Sequence, residues 1–194
     1  MRGLFLLILS TCYLSVFSQW GIKGGTGITS LSSMSVSKYK AMGHVGATYD
    51  FKLSEKWYIQ PELTFSTNGT DLKSDGLYLK KGHINTYALE LPVALSFRPN
   101  ISNDINLIFD CGWFIRYAMF GNKKYVYYEH ETVSGNPFDA YKRFDTGFTI
   151  GAGLAIRQYY GIVSFLGGVT SIDKQNNDVY NRAFRLGLGY RFKK

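Results

Sequence analysis

Residues 87–97 read Tyr-Ala-Leu-Glu-Leu-Pro-Val-Ala-Leu-Ser-Phe. Tyr87, Leu89, Leu91, Val93, Leu95 and Phe97 recur at a strict spacing of two, so they share a face only if the chain is extended. Between them stand Ala88, Glu90, Pro92, Ala94 and Ser96, which are mostly small. A strand on a soluble sheet would show Lys, Glu and Thr to water. Small residues suit instead the interior of a narrow barrel, which side chains just fill at about eight strands. The apolar face therefore points outward, to lipid.

The same period runs through the chain. Alternating stretches cover residues 20–30, 42–51, 57–67, 84–98, 105–120, 146–157, 159–170 and 182–192. Most are longer than the ~5–6 residues of an average globular strand. They match the ~9–11 residues with which a tilted strand crosses a bilayer. The connections alternate as well. Those at 52–56, 99–104 and around Gln158 are short; those at 31–41, 68–83, 121–145 and 171–181 are long. Short turns at one end and long loops at the other are the plan of an outer-membrane barrel. The pattern predicts an all-β fold: an eight-stranded antiparallel up-and-down transmembrane β-barrel. Both termini are expected on the periplasmic side and the long loops outside the cell. Pro61 and Pro92 each withhold a ladder N–H, which predicts a bulge or a place at the rim.

Composition excludes other classes. The 194 residues carry a formal net charge of +8, with 15 Tyr, 14 Phe and 21 Gly. Aromatics at 16% are too many for a disordered chain. Two cysteines do not make a disulfide scaffold. No internal apolar run reaches the ~18 residues of a membrane helix. The first residues are different. Arg2 precedes an apolar run from Leu4 to Val16, and Val16 and Ser18 are small enough to flank a cleavage site. This predicts a secretory signal peptide over 1–18, removed to leave the barrel domain 19–194. A buried N-terminal helix is the competing reading, but the run abuts Met1 and carries the leading positive charge. The one cysteine of the remaining chain, Cys111, falls on the lipid face.

The inward face also carries charges: Lys23, Glu62, Glu90, Asp110, Arg116, Arg157, Arg185 and Arg191. Isolated charges in a closed lumen are costly, so they should pair. The expected network runs from Glu62, Glu90 and Asp110 to Arg116, Arg157 and Arg185. A satisfied polar core is the reading adopted; an ion or proton path is the sharper one. Aromatics near strand ends (Trp20, Trp57, Tyr58, Phe97, Tyr159, Tyr160, Tyr190 and Phe192) predict an interfacial belt. The loop 121–145 holds Tyr125, Tyr127, Tyr128 and Phe138 among charges of both signs. These are the candidate partner-binding residues, although a rigid rim would use the same side chains.

Motifs with chemistry are absent or fail on context. Gly24-Gly25-Thr26-Gly27 has no Lys-Ser/Thr and no helix after it, so it is not a phosphate loop. His44, His83 and His130 lack metal-ligand spacing, and His130 between Glu129 and Glu131 reads as a solvated loop. No nucleophile–base set can be assembled. Lys and Arg form no run with nucleic-acid logic. The expectation is no enzyme activity, no cofactor and no nucleic acid. The expected partners are outer-membrane lipid, the barrel-insertion machinery during assembly, and a protein at the loops.

Several segments carry a family likeness. Gly21-Ile22-Lys23-Gly24-Gly25 opens the first strand. Leu53-Ser54-Glu55-Lys56-Trp57-Tyr58-Ile59-Gln60-Pro61-Glu62-Leu63 is a short turn leading into an aromatic-x-x-Gln-Pro-Glu-Leu strand. Leu89-Glu90-Leu91-Pro92-Val93 and Phe184-Arg185-Leu186-Gly187-Leu188-Gly189-Tyr190-Arg191-Phe192 follow in order. The chain resembles the PorT-like outer-membrane β-barrel domains common in Bacteroidota. It departs from them in the Lys193-Lys194 tail beyond the last aromatic. The resemblance implies an outer-membrane location and no defined activity. The resulting expectation is a structural or interaction protein acting through its long loops. Its rivals are a narrow solute or ion pore, an accessory of an export system, and a soluble lipocalin-like carrier with Leu89 and Leu91 turned inward.

Overall fold

The computed structural model describes residues 19–32, 37–74, 76–128, 132–175 and 178–192. The expected signal peptide and the Lys193-Lys194 tail lie outside the described residues. Eight long strands are present: β1 Gln19–Leu31, β2 Lys40–Lys52, β3 Trp57–Leu72, β4 Leu79–Phe97, β5 Ile105–Tyr127, β6 Phe144–Ile156, β7 Tyr159–Gly168 and β8 Asn181–Arg191. Each pairs antiparallel with the next. β8 returns to β1, from Gly21↔Arg191 to Leu31↔Asn181. The ring is closed, and no long strand keeps a bare edge. Both described chain ends lie at one end of the barrel, here the terminal end; the long connections lie at the loop end.

The pleat sorts side chains as the period requires. Leu89 and Leu91 are 41% and 46% exposed, whereas Ala88 and Glu90 are 0% and 1%. The apolar face is outside, so an apolar ligand chamber of the lipocalin kind is not formed. Cys111 is exposed on that outer face. Inside, Phe114 is fully buried and packs with Met42, Leu166 and Ala183. Below it Ile108, Ala155, Tyr160 and Ile162 form a second apolar patch.

Three expectations need correction. First, β3, β4 and β5 run past the predicted ends, to Leu72, from Leu79 and to Tyr127. The predicted limits stop where the outer face ceases to be apolar, but backbone pairing continues beyond the membrane, where that face is polar. Second, neither proline marks a bulge. Register is the same on both sides of Pro61 (Thr48↔Glu62, Phe51↔Ile59) and of Pro92 (Pro61↔Val93, Thr64↔Glu90). The ladder skips at Met119 instead, between Tyr87↔Phe120 and Ala88↔Ala118. Third, Tyr58 and Tyr160 leave the aromatic belt. They have the opposite parity to Trp57 and Tyr159 and lie beneath Arg98 and Arg191, at 4.4 and 4.3 Å. The belt itself comprises Trp20–Tyr49–Phe51, Trp57–Phe97 and Tyr159–Tyr190–Phe192, with centroids 4.6–5.3 Å apart.

Candidate functional site

The lumen is built in charged layers. At the terminal end Arg98 clasps Asp50 with two bonds of 2.6 and 2.9 Å. Arg191 Nε lies 3.0 Å from the same carboxylate, and Gln60 donates to it at 2.7 Å. One layer further, Lys23 pairs with Glu62, which also accepts from Thr64. At mid-barrel Glu90 takes Arg116 Nε and Arg185 Nη1, each at 2.7 Å, and the Ser66 hydroxyl at 2.6 Å. Arg116 then reaches on to Asp145 at 2.9 Å, which Asn181 also meets at 2.9 Å. Two-pronged, multiply bonded contacts of this kind offset the desolvation of charges taken from water.

The structure thus brings together Lys23 with Glu62, and Glu90 with Arg116 and Arg185. Arg191, an inward charge to which the sequence assigns no partner, meets Asp50. Asp110 faces the lumen beside Lys23 and Glu62 but makes no ion pair among the described residues. Arg157 is not in the lumen. β6 ends at Ile156, and Arg157 occupies a two-residue turn at φ +55°. Its side chain is 71% exposed and meets Asp104 at 3.2 Å. Strand parity does not carry through a turn in the left-handed region, which resets the side-chain direction. The lumen also holds Asp50, Arg98 and Asp145, which the sequence reading above does not include. Asp50 and Arg98 have the inward parity of their strands. Asp145 lies one residue before the predicted start of its strand.

With these three added, five cations (Lys23, Arg98, Arg116, Arg185, Arg191) face five carboxylates (Asp50, Glu62, Glu90, Asp110, Asp145) in the spanning lumen. His44 is buried among them. Among the described residues no three of His, Cys, Asp and Glu converge as a metal set. His130, with Glu129 and Glu131, lies outside the described residues.

The loop end is closed by apolar side chains. Leu31, Leu72, Ile84, Tyr141, Ile172 and Val179 form one buried cluster, with Tyr125 packed against it. Beside it the turn Pro137–Asp139 tucks Phe138 inward, leaving it 7% exposed. Asn136 starts the turn by accepting from Phe138 N at 3.0 Å, and Arg143 covers the ring at 3.9 Å. Burial pushes the Tyr141 hydroxyl above its ordinary range. Phe138 is therefore a plug residue and not an exposed contact: the loop folds back over the mouth. Tyr125 and Tyr127 are half-buried, and Tyr128 is exposed, its hydroxyl 2.9 Å from Ser74 Oγ. Between plug and Arg116 lies a cavity of about 40 Å³. Another of about 30 Å³ lies beside Asp110.

A family model described as outer membrane protein beta-barrel domain matches residues 16–174. The chain belongs to this family. As a member of the outer membrane protein β-barrel domain family it resides in the outer membrane, with its apolar face in lipid. The match takes in β1 to β7; β8 lies beyond it. Among solved structures, Neisserial surface protein A superposes with a TM-score of 0.55 at 6% identity, over 89% of this chain and 97% of that one. OprG from Pseudomonas aeruginosa superposes with a TM-score of 0.52 at 12% identity, over 91% and 97%. These likenesses speak to the fold. No curated protein matches the chain by sequence.

Proposed function

We propose that this protein is a closed outer-membrane barrel whose role is structural or interactive and is exercised at its loop end. The observation that carries the reading is the double closure of the lumen. Paired charges fill the spanning part, and the apolar cluster with Phe138 seals the mouth. A solute would have to break Glu90 from two arginines and displace the plug. The short turns lie beside the described chain ends, which favours periplasmic termini and loops outside the cell. The reading assigns the protein no catalytic step and no cofactor.

The test is conductance in planar bilayers. Purified, refolded protein should give no stepwise current. Regular single-channel steps would favour the pore instead. A second reading follows from Gln60-Pro61-Glu62-Leu63 and Leu89-Glu90-Leu91-Pro92-Val93, which carry the PorT-like resemblance. It is service as an accessory of an export apparatus. Co-purification of export components from membranes, lost when Tyr128 and its loop are replaced, would support it.

A further inference from the structure

Beyond the membrane the sheet β3–β4–β5 stands up as a platform, and its outer face is ordered in rows. The lowest row is aromatic. Tyr87 stacks on Phe120 at 4.8 Å, and Phe65 lies 6.3 and 6.5 Å from the two. Rings of this kind sit at headgroup depth. The next row pairs Asn85 with Asn122, amide to amide at 2.9 Å. Above it Asp71, His83 and Lys124 face one another across the strands, and above that Lys81 lies opposite Val126. Lys80 sits at the irregularity beside Lys81. Strand geometry puts the His83–Lys124 row about 14 Å along the strand from the aromatic row, less in height because the strands tilt.

The charges in these rows do not cancel. Asp71 is taken up by Lys40 at 3.1 Å and by His83 Nδ1 at 2.8 Å. Among the described residues no carboxylate lies within ion-pair distance of Lys80, Lys81 or Lys124, all exposed. This is an apolar, aromatic surface at its base, with amides above and, above those, ammonium groups that have no ion-pair partner among the described residues. Lysine stems can bend back toward the interface while the charge stays wet.

We propose that this platform holds a membrane lipid by its phosphorylated headgroup. The ammonium groups face the phosphate, the Asn row donates to it, and the acyl chains lie on Phe65, Phe120 and Leu89 below. An anionic amphiphile uses both halves of the surface, whereas a soluble anion could use only the upper one. The proposal rests on the lysine, asparagine and aromatic rows and does not depend on a protein contact at Tyr128.

The experiment is native mass spectrometry of the full-length protein, refolded in a neutral detergent. The probes are dioleoyl phosphatidylglycerol, dioleoyl phosphatidylcholine with the same chains, and glycerol phosphate as the headgroup alone. Wild type should retain the anionic lipid over the zwitterionic one by about tenfold or more, given the pull of several lysines on one anionic head. K81Q/K124Q should bring the two lipids near parity. K52Q/K56Q, which removes two charges at the terminal end, should leave the preference intact. Each variant is first checked for a shift on boiling; were K81Q/K124Q not to fold, K124Q alone should show a partial loss. Equal retention of both lipids by wild type overturns the proposal. So does a preference that survives K81Q/K124Q, one lost equally in K52Q/K56Q, or glycerol phosphate bound as well as the lipid.

Discussion

Glu90 is the anion on which the middle of the barrel turns, because one carboxylate holds Arg116 and Arg185 together at 2.7 Å. Removing it leaves two buried guanidiniums facing each other. Glu90→Ala should lower the unfolding free energy by about 3–5 kcal/mol, read as an earlier urea midpoint in micelles; an unmoved midpoint refutes the network. Gly189 is a second sensitive point. A Cβ there would come within 2.1 Å of the Tyr160 ring, which also holds Arg191 over it at 4.3 Å. Gly189→Val should cost about 1–3 kcal/mol through overpacking and lower the temperature at which the gel shift is lost. Parity made Glu62, Glu90, Arg116 and Arg185 legible as inward residues, since each alternates with lipid-facing Leu, Ile or Phe. It failed at Arg157 because a positive φ ends the alternation there. Partners were less legible than direction. Which carboxylate Arg191 meets depends on β1 standing between β8 and β2, so that Arg191 and Asp50 flank the same strand near Gly21, and no single strand shows that.

The plug shows the limit of reading elements one at a time. Between Tyr127 and Phe144 no period exists, so the sequence shows an aromatic loop without a direction. The inward turn arises from Asn136-Pro137 starting a short 3-10 turn that swings Phe138 under Arg143. Phe138→Ala should cost up to about 3–5 kcal/mol of loop docking. It should also expose Lys142 and Arg143 to trypsin in intact vesicles while the gel shift persists. Equal trypsin resistance in variant and wild type would count against the plug. The long β5 was half legible. Its lipid-crossing part is marked by Ile115, Tyr117 and Met119, whereas the part past Phe120 continues because β4 supplies partners from Thr86 to Leu79 on one edge and residues Thr132 to Gly135 pair along the other.

At the scale of the whole molecule, five lumen cations against five carboxylates leave the interior with no formal charge to attract an ion of either sign. The net +8 of the chain is therefore carried on the outside and the ends. Removal of the plug alone should not produce conductance, since Glu90 and its arginines remain; a loop-shortened variant should stay silent in planar bilayers. Closure was legible from the even number of strands and the alternating connections. The partners of the first and last strands were implied by that count. Their ladder, from Gly21↔Arg191 to Leu31↔Asn181, sets a condition on the order of events. It joins segments separated by nearly the whole chain, the slowest kind of contact to form. β1, made first, waits with an unmatched edge until β8 exists. Closure of the ring therefore waits on the last of the eight strands, whatever order the hairpins between them take.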